Sequence, residues 1–299
     1  MHSPAVDLLS WTDDRNRLNS RRMPVVSIRH LTTYRYRRAV AFGEHRMMFR
    51  PLEAPDQRVI AADLAISPEP HLLAHDQDLH GAHVGSAQFM ARADRLTFDS
   101  RVTLEHRPQP VARLISDAIV DSAARRVEGA AAQWATRFLS RRGRSLLLPV
   151  LTEMSAAIRE DLAYSVRLEG GPRTPEETLD AGGGSCRDFA VLMMAAVRSL
   201  GVPARFVSGY LYSSAAREPA SAGHTHAWVR AQVPGCGWVD FDPTNGTVGN
   251  ADLIRVAVVA NPQHALPLQG AWSGDPDDYL GMDVEVEVAA VKPAEAVAA

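Results

Sequence analysis

Three glycines and a serine, Gly182-Gly183-Gly184-Ser185, run into a segment whose apolar residues keep helical spacing: Phe189, Leu192, Met193, Ala196, Val197 and Leu200. Gly201 and Pro203 end it. The pattern predicts a flexible turn followed by a helix with one buried face. Cys186 occupies the junction. Ser185 suits the N-cap, and Asp188 supplies the acidic member of a capping-box-like start. A thiol at this place sits at the positive end of the helix, where unpaired backbone N–H groups favour the thiolate. An isolated cysteine is more often a small buried hydrophobe. The nucleophile reading therefore depends on what the rest of the chain can bring to Cys186.

The chain has 299 residues, 46% hydrophobic and 22% charged, with a formal net charge of -3, which describes an ordinary globular protein. It is long enough for two domains, each with its own core. No apolar run approaches the roughly 20 residues that span a bilayer, and the polar start with Asp13, Asp14, Arg15 and Arg17 does not resemble a secretory signal. Two cysteines, Cys186 and Cys236, are too few for a disulfide framework, so a reducing cytoplasm is the expected location. Near-neutral charge gives no footprint for nucleic acid, and no membrane association is expected.

Residues 1–22 lack periodicity and read as a polar tail or extension before Met23-Pro24. Residues 23–107 read as a β-rich domain, a small antiparallel sheet or sandwich. Its expected strands are Val26-Ile28 through Tyr36, Arg46 to Arg50, Ala61 to Ile66 and Leu96 to Leu104, with turn signals at Pro51, Pro55, Pro68 and Pro70. Pro108 and Pro110 mark a linker, and residues 108–299 form the second domain. Ala112 to Leu139 is expected to be mainly helical with Arg125-Arg126 on its polar side, and a further helix is expected over Leu147 to Leu162. Thr174-Pro175-Glu176-Glu177 has the form of a helix start. Ala204 to Tyr212, Ala227 to Val233, Trp238 to Phe241 and Asp283 to Val288 read as strands. The fold class is α+β, with helices packed on an antiparallel sheet in the second half.

A catalytic thiol needs a base and a group to orient that base. His226 and Asp242 fit these roles. Pro243 ends the strand that carries Asp242, placing the carboxylate at a strand end. Parity tests the pairing, because side chains alternate along a strand. An even-numbered loop would put His226 and Asp242 on opposite faces. A three-residue loop of Pro234, Gly235 and Cys236 sets Asp242 opposite Trp228 and diagonal to His226. Asp240 shares that face and is the rival orienting acid.

Gly-Ser-Cys-Arg-Asp-Phe-Ala at 184–190, Gly-Val-Pro-Ala-Arg-Phe-Val-Ser-Gly-Tyr-Leu at 201–211, His-Ala-Trp at 226–228 and Gly-Trp-Val-Asp-Phe-Asp-Pro-Thr-Asn-Gly at 237–246 resemble the bacterial transglutaminase-like family. The stretch from Ile28 to Tyr36 resembles the start of that family's β-rich N-terminal domain. The resemblance implies a papain-like transglutaminase core with Cys186, His226 and Asp242 as the catalytic triad. Animal members hold the oxyanion with a tryptophan upstream of the cysteine. No Trp lies between Trp134 and Cys186, so Tyr164 is the candidate oxyanion donor beside the Cys186 N–H, or else a core residue. The glycine, arginine and acid frequent after the family's acid-bearing strand are missing from Val256 to Asn261.

Other features have plainer readings. His224-Thr225-His226 with Cys236 could suggest a metal, yet paired zinc-type cysteines are missing and no metal is expected. His71, His75, His80 and His83 read as solvated loop residues, and Asp275-Pro276-Asp277-Asp278 as a surface turn. Gly182 to Gly184 lacks the Gly-Lys-Ser/Thr ending of a phosphate loop. Trp228 and Trp238 pack the hairpin or line the substrate site. Salt bridging and capping account for Arg187 and Asp188.

The expected activity is therefore that of a thiol enzyme acting on amide or peptide bonds of a protein or peptide substrate, through a thioester and without a cofactor. Transfer to an amine makes it a transglutaminase, and water as acceptor makes it a cysteine protease or amidase. A non-catalytic scaffold that keeps the fold is the alternative of a different class.

Overall fold

Val25–Met47 is one strand of 23 residues. β-Branched and aromatic residues dominate its first half, and Val26, Ile28, His30 and Thr32 alternate into the interior. It pairs antiparallel with Arg92–His106 on one side and Tyr279–Ala290 on the other. Its far end pairs with Leu268–Ser273 from Ala41 to Met47, across a register shift between Phe42 and His45, and with His83–Gln88 from His45 to Met47. Gln57–Ser67 adds to Arg92–His106, and Leu72–Gln77 to His83–Gln88. The N-terminal half is thus built on a single seven-stranded antiparallel sheet. The computed structural model describes residues 24–108, 114–121, 128–140, 143–212 and 225–291. The expected tail at 1–22, Arg125-Arg126 and His224 lie outside them.

Three expectations change here. Arg46 and Met47 end the long first strand and do not begin another. His75 and His83 lie on paired strands of a hairpin, while His80 lies in its turn. The strand over Asp283 to Val288 forms, but its partner is the first strand, with Thr33 opposite Asp283 and Ile28 opposite Val288.

The second half has an antiparallel sheet ordered Thr247–Val248, Gly237–Asp242, His226–Val233, Ala204–Leu211 and Leu253–Val259. The helix Cys186–Ser199 packs across this sheet on Phe189, Leu192, Met193, Ala196 and Val197, all buried. Leu147–Asp161 is the second long helix, and Pro175–Asp180 forms behind Thr174 with reciprocal Thr174–Glu177 capping bonds. Within Ala112 to Leu139 the described residues are helical only at Ala130–Ala135, followed by a 3-10 turn at Thr136–Phe138. Ile119–Asp121 instead pairs as a strand with Arg144–Leu146. Alanines alone do not sustain a helix without a long apolar stripe to dock.

A continuous buried cluster joins the two halves, running from Val26, Ile28 and Leu104 to Phe189, Trp228 and Val256. Polar ties reinforce it. Tyr210 donates its hydroxyl hydrogen to the Phe49 carbonyl at 3.0 Å, the Gln57 amide reaches the Arg255 carbonyl at 2.7 Å, and Arg255 pairs with Asp56. The α+β class with a β-rich N-terminal half and a helix-on-sheet core is the observed architecture.

Candidate active site

The hairpin that carries the two polar candidates has Val233 opposite Gly237 and Val229 opposite Phe241. Its loop is therefore Pro234, Gly235 and Cys236, the odd-numbered connection that parity required. Asp242 and His226 share a face, and His226 Nε2 donates to Asp242 Oδ2 at 2.8 Å. Asp242 also accepts from the Asn245 side-chain amide at 2.7 Å and from the backbone N–H groups of Thr244 and Asn245 at 3.0 and 3.3 Å. Both residues are buried. For His226, burial works against the charged ring. The charge and hydrogen bond of Asp242, followed by the contact with Cys186, outweigh it and raise the imidazole to about 10. Burial likewise pushes the Asp242 carboxyl up, yet the His226 charge and the donors around it hold it below the ordinary carboxylate range.

Cys186 is the first residue of its helix, so its N–H is among those with no intrahelical acceptor. Its thiol contacts both His226 and the Tyr164 hydroxyl. Asp188 secures this helix start. Its Oδ2 accepts the Ser185 N–H at 2.8 Å and the Ser185 hydroxyl at 2.9 Å. Its Oδ1 accepts the Arg173 N–H at 2.7 Å and the Arg167 guanidinium at 2.6 Å. Burial opposes the charge on Asp188, but these donors hold it below its usual value.

The glycine run has a packing reason. Ala163–Tyr164 pairs in parallel with Gly183–Gly184. A Cβ on Gly183 would lie 2.3 Å from the Ala163 carbonyl oxygen, and one on Gly184 would lie 2.8 Å from the Asp188 side chain. Only bare backbone lets Tyr164 come alongside the turn that leads to Cys186. Burial, with the nearby Cys186 and Asp242 charges, raises the tyrosine hydroxyl above its ordinary value, so it remains a proton donor.

The two tryptophans do not line this cleft. Trp228 is fully buried, stacks on His226 at 5.9 Å and donates its Nε1–H to Asp240 at 2.8 Å. Trp238 lies under the Arg205 guanidinium at 4.9 Å and borders a separate depression with Asp240 and Asn250. A buried indole at position 228 is the product of the same register that aligns Asp242, because residues 226 and 228 share a face. Asp240, the rival acid, is engaged by Trp228 and faces Arg230 at 3.3 Å and Arg255 at 3.8 Å. Cys236 stays in its turn, with its thiol on the Ile115 carbonyl at 3.3 Å. Asp275 caps the short turn Pro276–Asp278, and Arg38 pairs with Asp275 and Asp278.

Several participants were not singled out from sequence. Asn245 steadies Asp242, and the readable signal was its position just beyond the acid in Asp-Pro-Thr-Asn. The cleft beside Cys186 has a volume of about 90 Å³. Thr32, Met282 and Val284 from the N-terminal sheet complete its wall. Next to them His30 bridges the Tyr210 hydroxyl at 3.0 Å and the Thr32 hydroxyl at 3.1 Å. Burial lowers His30 to about 3, leaving it neutral.

Residues 150–243 match the transglutaminase-like superfamily, and residues 26–105 match the bacterial transglutaminase-like N-terminal region. An uncharacterized protein of Mycobacterium tuberculosis is 27% identical over 292 residues, covering 87% of this chain and 91% of its own. An uncharacterized protein of Mycobacterium leprae is 37% identical over 107 residues, a match that covers 35% of this chain and only 37% of that protein. A candidate cysteine protease from Cytophaga hutchinsonii has the same fold, with a TM-score of 0.65 over 91% of this chain and 92% of its own at 16% identity. Among the described residues, no helix is long and apolar enough to cross a membrane.

Proposed function

Because this chain belongs to the transglutaminase-like superfamily, we propose that it is a thiol enzyme whose Cys186, His226 and Asp242 transfer an acyl group from a carboxamide through a thioester. The observation that carries the reading is the chain of contacts from Asp242 through His226 to Cys186 at a helix start. Cys186 Sγ attacks the carbonyl carbon while its proton resides on His226. With Nε2 held by Asp242, Nδ1 is the nitrogen left to exchange that proton. The carbonyl oxygen becomes an oxyanion between the Cys186 N–H and the Tyr164 hydroxyl. Collapse of this intermediate breaks the C–N bond. The amine or ammonia leaves with the proton from His226, and a thioester remains on Cys186.

The acceptor that then attacks the thioester is an amine in the transglutaminase reading and water in the protease or amidase reading. The donor in this reading is a side-chain carboxamide of a protein or peptide. A reducing cytoplasm is part of this reading, on the low cysteine count of the chain.

Incubation with a glutamine peptide and a labelled primary amine tests the proposal, with Cys186→Ala as control. Amine incorporation that depends on Cys186 supports transfer, whereas ammonia release or cleavage alone supports hydrolysis. If neither depends on Cys186, the chain keeps the fold as a non-catalytic scaffold and the enzyme reading fails.

A further inference from the structure

Among the described residues two arginines line the cleft, Arg167 and Arg187, and no aspartate or glutamate does. Their situations differ. Arg167 is neutralised by the buried Asp188 carboxylate at 2.6 Å. Arg187, the residue after the nucleophile, bonds to backbone carbonyls, Gly170 at 2.9 Å and Arg167 at 2.5 Å. Among the described residues no carboxylate lies within ion-pair distance of it. Salt bridging therefore accounts for Asp188 and not for its neighbour.

We propose that Arg187 receives a carboxylate carried by the acyl donor close to its reacting carboxamide. A guanidinium offers five N–H donors in a planar fork that matches a carboxylate. The two contacts to the 167–170 loop leave donors over, and they hold the group at the cleft wall. A cation partly withdrawn from water without a direct ion-pair partner is costly, and burial already pulls its pKa down. Cys186 is the neighbour whose charged form would offset it most. An S-acylated Cys186 carries no such charge, so a carboxylate on the bound acyl group supplies the balance at that step. Leu268, Met282 and Val284 also line the cleft, and their apolar surface raises the weight of a single charge there. The proposal rests on Cys186 as the nucleophile. The carboxylate has two possible sources, an acidic residue beside the glutamine or the α-carboxylate of a C-terminal glutamine.

Alkylation tests the site without turnover. In a Cys236→Ser background, Cys186 displaces iodide from iodoacetate, which carries a carboxylate, and from neutral iodoacetamide. The iodoacetate to iodoacetamide rate ratio, relative to that of glutathione, is expected to be about tenfold higher at Cys186, as one charge-assisted hydrogen bond supplies. In Arg187→Gln it falls to the glutathione ratio. A wild-type ratio no higher than that of glutathione, or one unchanged in Arg187→Gln, overturns the proposal. Should that variant not fold, protection of the unsubstituted protein decides: glutarate slows alkylation by iodoacetamide and glutaramide does not, and equal effects overturn it. Glutamine peptides with a neighbouring Glu, with a free C-terminus, or neutral and amidated then separate the sources. A turnover rate equal for all three overturns the proposal. If no peptide is turned over while the iodoacetate preference stands, the acyl-transfer reading fails and the carboxylate site survives.

Discussion

Asp240 and Asp242 lie on the same strand and the same face, yet Asp240 takes its hydrogen bond from Trp228 Nε1 and Asp242 takes His226 Nε2, each at 2.8 Å. Two residues of register separate a carboxylate that orients a base from one that anchors a buried indole and two arginines. The pair gives the first prediction. Asp242→Asn should lower turnover by roughly 10⁴-fold, since an amide supports the wrong imidazole tautomer, and should also cost stability below about pH 6.5, where the buried ion pair with His226 is fully formed. Asp240→Asn should leave turnover largely intact. Removing the charge facing Arg255 and Arg230 should cost about 3 kcal/mol, read by urea denaturation. Equal effects of the two variants on turnover would undo the assignment.

Tyr164→Phe isolates the oxyanion role. The ring that packs against Phe189 at 6.2 Å is retained, so stability should hold, while kcat should drop about 10²-fold for loss of one oxyanion donor. Alkylation of Cys186 by iodoacetamide has no oxyanion and should proceed at nearly the original rate. A turnover rate that matches the unsubstituted protein would return Tyr164 to a packing role.

The raised imidazole makes stability depend on pH with a definite sign. His226 titrates at about 10 in the folded chain and near the ordinary value of about 6.5 when unfolded. The folded state holds this proton more tightly. Its contribution is therefore complete below about 6.5 and is lost as pH rises toward about 10. The stability gap between the unsubstituted protein and His226→Gln should narrow across that window in denaturation experiments. A gap that widens with pH would contradict the ion-paired arrangement.

Gly183→Ala tests the close approach of the turn to the Ala163–Tyr164 segment. Its methyl would sit 2.3 Å from the Ala163 carbonyl oxygen, and backbone must move, at about 1–3 kcal/mol. Because the displaced segment carries Tyr164, kcat should fall further than stability alone explains. Calorimetry together with steady-state rates measures both, and an unperturbed melting temperature would show that the turn has room.

The parts of this site that were legible in the sequence are those set by local periodicity. A three-residue loop fixes the His226–Asp242 face because side chains alternate along a strand, and a helical stripe fixes Cys186 at a helix start. Leu253–Val259 escaped because all seven residues are buried, which erases the alternation that marks a strand. The helix expected over Ala112 to Leu139 misled because alanine content speaks to propensity and not to a docking partner. Long-range pairing carries no local mark. Nothing in Val284 or Thr32 alone shows that they meet as a cross-strand pair at the wall of the thiol cleft, and nothing in Arg187 shows that its neighbour Asp188 is committed to Arg167.

The pairing of Tyr279–Ala290 with Val25–Met47 also sets an order of events during synthesis. The long first strand leaves the ribosome early, and its partner on that side emerges only after the thiol, the imidazole and the acid have all been made. Until then the edge beside Val26, Ile28 and His30 is open to foreign strands. The wall supplied by Met282 and Val284 is missing for the same interval. Nascent chains therefore carry an exposed β edge and an unfinished cleft together, and one late strand closes both.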